Sequence, residues 1–379
     1  MAMDKVQVVI IGYGSMGGLY ADMIAAGRIP ELGLFGICCR NQARHNEINS
    51  KFPGIRIYSS DVEALSDYHS YDAVIVTTPH KTHVQLAATA LSHGTHVLCE
   101  KPLGVSLKDA QALQNLATAS GRHISMIFNW RTREVYRKAK ELVSCGGLGT
   151  LTHVVWIANF WYRTAYYHRL SPWRSSWTGE GGGLAINQMQ HVFDIGNWLF
   201  GVPQEVFASV SFGRFNDISV DDSFEVLFTY PDGLRGVCVA SSGESPGSNH
   251  LEIHGSLGKL VLDGNELRLY RNEIASDDFS RTASVTTGIP YVVESSSFED
   301  RGHAEYEDIL RNFGRSVLFG EPPIAPLSAG VDALTVANAI YFSAWEGRPI
   351  KTSFDADEYQ RLLDEHITCE NRSGGIAKG

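Results

Sequence analysis

The sequence predicts an α/β protein with an N-terminal domain on a parallel sheet and a C-terminal α+β domain on a large, open, mostly antiparallel sheet. The first observation is an apolar run, Val6–Ile11, that ends in the glycine-rich turn Gly12–Gly17. The second is the alternation of strand patterns with helical patterns up to residue 128, which is typical of a parallel sheet. The third is the period-2 alternation of apolar and polar residues from Leu151 onward, which indicates antiparallel strands.

The glycine-rich turn predicts that the first domain is a Rossmann domain that binds a dinucleotide, with a plain strand–turn–helix as the alternative. Gly12 permits the tight turn, Gly14 lets the backbone approach a pyrophosphate, and Gly17 lets the helix pack close to the strand. The N–H groups at the start of that helix can then bind the phosphates. The predicted cofactor-binding residues of the turn are Gly12, Tyr13, Gly14, Ser15, Met16 and Gly17.

The remaining elements follow from hydrophobic periodicity. The first part of the chain is expected to contain strands 34–39, 72–77, 96–99 and 123–128 and helices 16–26, 83–93, 106–119 and 134–144. The later part is expected to contain strands 206–212, 223–230, 234–241, 250–254 and 259–262 and helices 184–199, 304–319 and 328–345. We predict a Rossmann domain over residues 1–128 and a substrate-binding and oligomerisation domain over residues 129–379, whose last helices can pack back on the first domain.

The end of the second strand bears on the choice between NAD and NADP. An NAD-preferring site usually carries Asp or Glu about 20 residues after the glycines, whereas an Arg can accommodate the 2′-phosphate of NADP. This chain has Cys39, Arg40 and Asn41 there, with no acid. Arg40 therefore favours NADP or dual use, and an Arg40 that stacks on adenine or faces solvent is the alternative. The cofactor is predicted as NAD or NADP.

Composition excludes several other classes of protein. The net charge of −10 and the lack of a Lys/Arg cluster argue against a nucleic-acid partner. No apolar run approaches the roughly 18 residues of a membrane span, and Met1–Lys5 leaves no room for a signal peptide before the first strand. Six cysteines without Cys/His spacing predict neither disulfides nor a metal site. A cytoplasmic location is expected.

Four motifs occur in a fixed order: the glycine turn, Thr-Thr-Pro-x-x-x-His at Thr77–His83, Glu-Lys-Pro at Glu100–Pro102, and GGGxxxxxxxHxxD from Gly181. In this order they resemble the glucose–fructose oxidoreductase/inositol dehydrogenase/rhizopine-catabolism (Gfo/Idh/MocA) family over nearly the whole chain. The resemblance implies NAD(P)-dependent chemistry on sugars, cyclitols or glycosides, and an open sheet face that often makes an oligomer contact, here a homodimer or homotetramer. It adds Thr77, Thr78, Pro79, His83, Glu100 and Lys101 to the cofactor-binding residues.

The resemblance places Lys101 and His191 at the reacting carbon. A neutral histidine can take the proton of a hydroxyl group, and an ammonium group can stabilise the alkoxide that develops. The family often has an aspartate four residues before the histidine, where this chain has Asn187. We expect Asn187 and His191 on one face of the predicted helix, with Asn187 as an orienting hydrogen-bond group.

The segment before the glycine triplet is unusually rich in aromatic and basic residues. Aromatic faces can stack on a pyranose ring, and cations can bind hydroxyl groups or an acidic substituent; an oligomer contact is the alternative, because Tyr, Trp and Arg are also enriched at interfaces. The predicted substrate-binding residues are Asn129, Arg131, Arg163, Tyr166, Tyr167, Trp173, Arg174, Trp177, Asn187 and His191.

Taken together, these residues predict an oxidoreductase that transfers a hydride between NAD(P) and a ring hydroxyl or ketone of a small carbohydrate. A redox-type glycosidase, which oxidises a ring carbon transiently, eliminates the aglycone, adds water and re-reduces the product, is the alternative within enzymes. A non-catalytic nucleotide-sensing protein on the same fold is the remote alternative.

Overall fold

The computed structural model of the protein describes residues 5–376. The described chain divides into two compact units. The first contains the residues up to Thr132 together with Gly302–Leu334, and the second contains Arg133–Arg301 together with the residues from Thr335 on. The segment 302–334 therefore belongs with the nucleotide-binding half of the chain, although it follows the second sheet in sequence.

The first unit is built on a six-stranded parallel sheet with the strand order β3-β2-β1-β4-β5-β6. Its strands are β1 (Val6–Ile11), β2 (Leu32–Cys38), β3 (Arg56–Tyr58), β4 (Ala73–Val76), β5 (His96–Cys99) and β6 (Ile124–Met126). Its helices are α1 (Ser15–Ala25), α2 (His45–Lys51), α3 (Asp61–Ser66), α4 (His83–Ser92), α5 (Leu107–Ser120) and α10 (Ala304–Phe319). The strand order is that of a Rossmann domain, and it confirms the predicted parallel sheet.

The second unit is built on a nine-stranded sheet with the order β14-β13-β12-β11-β7-β10-β9-β8-β15. Its strands are β7 (Leu151–Ala158), β8 (Glu205–Phe212), β9 (Asp221–Thr229), β10 (Arg235–Ser241), β11 (Asn249–Gly255), β12 (Gly258–Asp263), β13 (Glu266–Asn272), β14 (Tyr291–Ser297) and β15 (Ile350–Lys351). Its helices are α6 (Glu134–Ser144), α7 (Ala165–Arg169), α8 (Gln190–Phe200), α9 (Ser276–Thr282) and α12 (Ala356–Ile376), and α11 (Leu327–Glu346) crosses the division between the units.

The period-2 pattern decides which face of this second sheet is covered. In β9, Phe224 and Val226 are buried, whereas Glu225 and Leu227 are exposed on the other face. Only the β7–β10 pair is parallel among the paired strands of this sheet. The prediction of a large, open, mostly antiparallel sheet is therefore confirmed.

One helical prediction was wrong in detail, and one long helix was not predicted. The helix predicted over 184–199 begins only at Gln190, because the segment before it is drawn toward the start of β9 by hydrogen bonds to Asp221. The terminal helix α12 was not predicted, because only a narrow apolar stripe, including Tyr359 and Leu363, is buried along a mostly polar helix. Among the described residues, no helix is long and apolar enough to cross a membrane.

Candidate active site

The turn after β1 requires glycine at two of its positions. Gly12 has a φ of +107°, and a Cβ atom there would lie 2.9 Å from the backbone carbonyl of Thr77. A Cβ atom on Gly17 would lie 2.0 Å from the carbonyl oxygen of Gly12. The Thr77 hydroxyl donates to that same oxygen at 2.6 Å. Gly12, Gly17 and Thr77 therefore hold the turn in shape.

Gly14 differs from its neighbours because a Cβ atom on it would meet nothing within 4 Å. Helix α1 begins at the next residue, with no acidic residue in its first turn and no side chain capping its N-terminus. The N–H groups of Ser15 and Met16 belong to this uncapped first turn. An open space at a helix N-terminus without nearby acid is what a pyrophosphate requires, so this turn fits the NAD-binding role predicted for it.

Two other predicted cofactor residues have structural partners. The Tyr13 ring is buried and packs against Phe52 in an edge-to-face arrangement. The backbone carbonyl oxygen of Tyr13 accepts a hydrogen bond from Arg44 Nη1 at 2.7 Å. Arg40 is 69% exposed and forms an ion pair with Asp61 at 2.9 Å. The Tyr13 side chain is thus part of the core, and Arg40 lies on the surface at the end of β2.

His83 links the loops that follow β4 and β5. One ring nitrogen, Nε2, lies 2.6 Å from the carbonyl oxygen of Thr78, and the other, Nδ1, lies 2.7 Å from that of Pro102. Burial lowers the pKa of His83, and the two carbonyl groups oppose this shift. The His83 ring therefore holds together the two loops that are predicted to bind the cofactor. One of them, the loop after β4, contains Thr78 and Pro79.

Glu100 anchors the loop that presents Lys101. Its carboxylate accepts hydrogen bonds from the Tyr20 hydroxyl and, at 2.9 Å, from the Lys101 backbone N–H. Burial raises the pKa of Glu100. The carboxylate of Glu100 therefore supports the Lys101 loop, and a contact of Glu100 with the cofactor stays a prediction. The Lys101–Pro102 peptide bond is cis.

Asn129 and Arg131, predicted to bind substrate, contact residues of the segment 302–334 within the first unit. Asn129 Nδ2 donates to Glu305 at 2.8 Å, and Arg131 Nη1 donates to the carbonyl oxygen of Ile324 at 3.1 Å. Both side chains are buried. These contacts give the two residues a structural role in attaching that segment.

In the second unit, Asp221 holds the glycine triplet Gly181–Gly183. Its carboxylate accepts hydrogen bonds from the N–H groups of Gly183 and Ala185, each at 2.8 Å, and from the Tyr341 hydroxyl. Burial raises the pKa of Asp221. A Cβ atom on Gly183 would lie 2.1 Å from the Asp221 carbonyl oxygen, so glycine is required there. The sequence analysis missed Asp221, which no local pattern connects to the triplet.

A polar cluster surrounds the Tyr167 hydroxyl and consists of Tyr167, Arg174, Glu180, Asn187 and Gln188. The Tyr167 oxygen accepts hydrogen bonds from Arg174 Nη1 at 2.8 Å and from the amide nitrogens of Asn187 and Gln188, each at 3.2 Å. Asn187 Nδ2 also donates to Glu180 Oε1 at 2.6 Å. Glu180 and Gln188 were not predicted, although Glu180 directly precedes the glycine triplet.

His191 is the second residue of α8 and is 8% exposed. The expected arrangement of Asn187 and His191 on one helical face is wrong, because Asn187 precedes the helix. The turns before α8 are irregular: the N–H of Asn187 reaches back four residues to Gly183, whereas that of Met189 reaches back five to Leu184. The hydrogen bonds between the backbone of this segment and Asp221 therefore determine where Asn187 lies relative to α8.

The aromatic segment divides into an accessible part and a buried part. Arg163 and Arg174 stack on the Tyr167 ring with distances of 4.6 and 4.8 Å to its centre, Trp173 lies 4.7 Å from Arg174, and Tyr166 is 68% exposed. These residues remain candidates for substrate contact.

Trp177 belongs to the buried part and differs from its predicted role. It is 3% exposed, and its ring packs on Phe212, Tyr341, Trp345 and His366 at centroid distances of 5.2–5.9 Å. Its indole N–H donates to the Ser219 carbonyl oxygen at 2.9 Å. We assign Trp177 a place in the core instead of a substrate contact.

Replacing Trp177 by alanine is expected to lower the free energy of unfolding by about 3–5 kcal/mol, because it removes a buried ring from an aromatic cluster. Arg163→Ala is the matched variant on the accessible part; it should cost about 1 kcal/mol or less in stability and should raise KM. Chemical unfolding and steady-state kinetics check both. If Arg163→Ala keeps the parent KM but loses assembly on a sizing column, the accessible part is an interface.

Comparison with known proteins identifies the family. Residues 6–128 match the oxidoreductase family with an NAD-binding Rossmann fold, and residues 136–261 match the GFO/IDH/MocA C-terminal domain. The chain is 26% identical to myo-inositol 2-dehydrogenase of Thermotoga maritima over 351 residues, which cover 90% of this chain and 97% of the relative. It is 26% identical to D-xylose 1-dehydrogenase (NADP(+)) 2 of Haloferax volcanii, with 90% and 98% of the two chains covered.

A solved structure shows the same fold. Levoglucosan dehydrogenase in complex with NADH and levoglucosan matches with a TM-score of 0.78 at 20% identity, over 93% of this chain and 100% of that one. The parallel sheet and the open sheet of this chain are thus both part of the fold shared with that structure. With both halves matched in sequence, the chain belongs to the GFO/IDH/MocA family of NAD-binding oxidoreductases.

Proposed function

We propose that the protein is an NAD(P)-dependent oxidoreductase that transfers a hydride between the nicotinamide and a ring hydroxyl or ketone of a sugar, cyclitol or glycoside. The observation that carries the proposal is the half-buried polar cluster around Tyr167, whose residues precede His191 in a chain with an NAD-binding first unit. The identities of the relatives, inositol and xylose dehydrogenases, support the substrate class.

In the proposed reaction, His191 and Lys101 act on the same substrate oxygen. His191 takes the proton of the hydroxyl group, and the Lys101 ammonium group stabilises the negative charge that develops on that oxygen. Asn187 orients the hydroxyl group. When bound, NAD(P) supplies the hydride acceptor.

The glycine turn and the uncapped start of α1 would hold the pyrophosphate, and Thr78, Pro79 and the Lys101 loop would line the nicotinamide end. Arg40 is proposed to contact the adenosine ribose, where an arginine favours NADP. Its present partner, Asp61, is a partly exposed carboxylate that a 2′-phosphate can replace. We further propose a cytoplasmic homo-oligomer, dimer or tetramer, supported by exposed apolar side chains such as Leu227 on the open sheet face.

A redox-type glycosidase is the second candidate. The exposed Tyr166 and the half-buried Trp173 provide aromatic surface for the aglycone of a bulky glycoside. The two reactions differ in their net redox change, because a dehydrogenase accumulates NAD(P)H whereas a redox glycosidase releases aglycone and regenerates its cofactor.

The test incubates the protein with NAD or NADP and with myo-inositol, D-glucose, D-xylose or p-nitrophenyl β-D-glucopyranoside. Absorbance at 340 nm follows NAD(P)H, and absorbance of p-nitrophenolate follows the aglycone. Formation of NAD(P)H from any of the four compounds supports the dehydrogenase. Release of p-nitrophenolate without NAD(P)H supports the glycosidase, and an inert protein with all four compounds contradicts the proposed substrate class.

A further inference from the structure

Glu180 is a nearly inaccessible carboxylate next to Asn187, one of the proposed catalytic residues. Its side chain is 2% exposed, and both of its oxygens accept hydrogen bonds: Oε1 from Asn187 Nδ2 and Oε2 from the Ser175 backbone N–H, each at 2.6 Å. The Arg174 guanidinium lies 3.9 Å from Oε1. A buried carboxylate requires partners of this kind, because an unpaired one costs several kcal/mol to desolvate. Glu180 is therefore held in one position.

This position determines which way the Asn187 amide faces. An ionised carboxylate can only accept hydrogen bonds, so the amide atom next to Glu180 must be the nitrogen. The two N–H hydrogens of Asn187 point to Glu180 Oε1 and to the Tyr167 oxygen. The carbonyl oxygen, Oδ1, is then the atom with which Asn187 can meet a donor group.

We infer that Glu180 is a positioning residue: it fixes the orientation of the Asn187 amide, so that Asn187 acts as a hydrogen-bond acceptor toward the reacting hydroxyl group. This inference rests on the proposed function. It also accounts for the departure from the family pattern: an aspartate at position 187 would place a second carboxylate 2.6 Å from Glu180, so one of the two would have to carry a proton. An amide at position 187 lets Glu180 stay ionised without a second carboxylate beside it.

The amide and the carboxylate can be exchanged between the two positions. In the double variant Glu180→Gln/Asn187→Asp, the new amide at position 180 can donate a hydrogen to the new carboxylate at position 187. It also keeps an oxygen that can accept from the Ser175 N–H. The Tyr167 hydroxyl can then donate to the carboxylate at position 187. The three hydrogen bonds named above, Asn187–Glu180, Ser175–Glu180 and Asn187–Tyr167, therefore each have a counterpart, and position 187 still presents an acceptor.

The test compares Asn187→Asp, Glu180→Gln and the double variant with the parent at pH 7.5. Asn187→Asp should lower the thermal midpoint by about 5 °C or more, since it creates an unpaired buried charge, and should lower kcat by about 100-fold. Glu180→Gln, which keeps the volume of the side chain, should lower kcat more than it changes KM. The double variant should regain most of both losses.

Asn159→Asp is the matched control, because Asn159 Nδ2 donates to Glu244 at 2.5 Å on the exposed surface. Water screens that pair, so the control should keep the parent midpoint. The rates are measured with NAD(P) and the four compounds of the functional screen.

Additive losses of thermal midpoint in the double variant would overturn the inference, and so would a parent-like kcat in Asn187→Asp. Failure of the proposed function shows differently: the parent then reduces no cofactor with any of the four compounds. In that case the thermal midpoints still test whether Glu180 sets the amide orientation. If the loss in the double variant equals the sum of the losses in the two single variants, the inference is overturned.

Discussion

Replacement of His191 by alanine is expected to lower kcat/KM by about 10²–10⁴-fold, because it removes the group that accepts the hydroxyl proton. Lys101→Ala removes the charge that meets the developing alkoxide and should cost a similar factor. Since both side chains are proposed to act on one oxygen in one transition state, the double variant should be little worse than the poorer single variant. Steady-state kinetics with the substrate that reacts fastest in the screen measures all three rates.

The control is His254→Ala, which removes a partly exposed histidine from β11 in the same unit and should leave kcat/KM unchanged. The pH profile of kcat/KM should lose one limb in His191→Ala, whereas affinity for NAD(P) should hardly change, because His191 belongs to the second unit. Full activity in either single variant would rule out the assignment. An unchanged pH profile in His191→Ala would move the proton acceptor to another residue.

Gly14→Val is expected to leave the fold intact and to weaken NAD binding by about 100-fold or more, because the loss of two hydrogen bonds to a charged pyrophosphate costs at least this factor. The reason is the open space at Gly14, where a Cβ atom meets no protein atom within 4 Å. A valine there would occupy the volume that the phosphates need. Calorimetric titration with NAD and with NADP, together with thermal unfolding, measures the two effects separately.

Two neighbouring glycines serve as controls. Gly18→Ala places its Cβ atom 3.7 Å from the Tyr13 ring, an ordinary contact, and should keep both stability and NAD affinity. Gly17→Val forces its Cβ atom toward the Gly12 carbonyl oxygen, 2.0 Å away, and should lower the thermal midpoint. If Gly14→Val binds NAD and NADP as tightly as the parent, the pyrophosphate does not lie at this turn.

Two features of the first unit could be predicted because their contacts are close in sequence. Gly17 packs on Gly12, five residues earlier, and the Lys101 N–H bonds to the adjacent Glu100. Contacts of this kind follow from the local turn and appear in the sequence as fixed spacings. The parallel sheet could be predicted for a similar reason, since each buried strand is a continuous apolar run.

For the second unit, the sequence predicted which residue types the candidate site contains, but not where each side chain lies. The aromatic and basic residues before the glycine triplet were found, but Trp177 lies in the core because it packs on Tyr341 and Trp345, more than 160 residues later. The start of α8 depends on Asp221, 38 residues after Gly183. Hydrophobic periodicity carries no information about such distant partners.

The sequence by itself determined the order of the two sheets, the glycine turn and the family of the chain, because these depend on short-range spacing and on alternation along single strands. Only the tertiary structure decided that Glu180 faces Asn187, that Asn187 precedes the helix of His191, that Tyr20 bonds to Glu100, and that His83 holds the loops after β4 and β5. These arrangements are set by which buried carboxylates and ring nitrogens find hydrogen-bond partners. Burial makes such partners obligatory, and the fold supplies them, in part from residues that are far apart in the sequence.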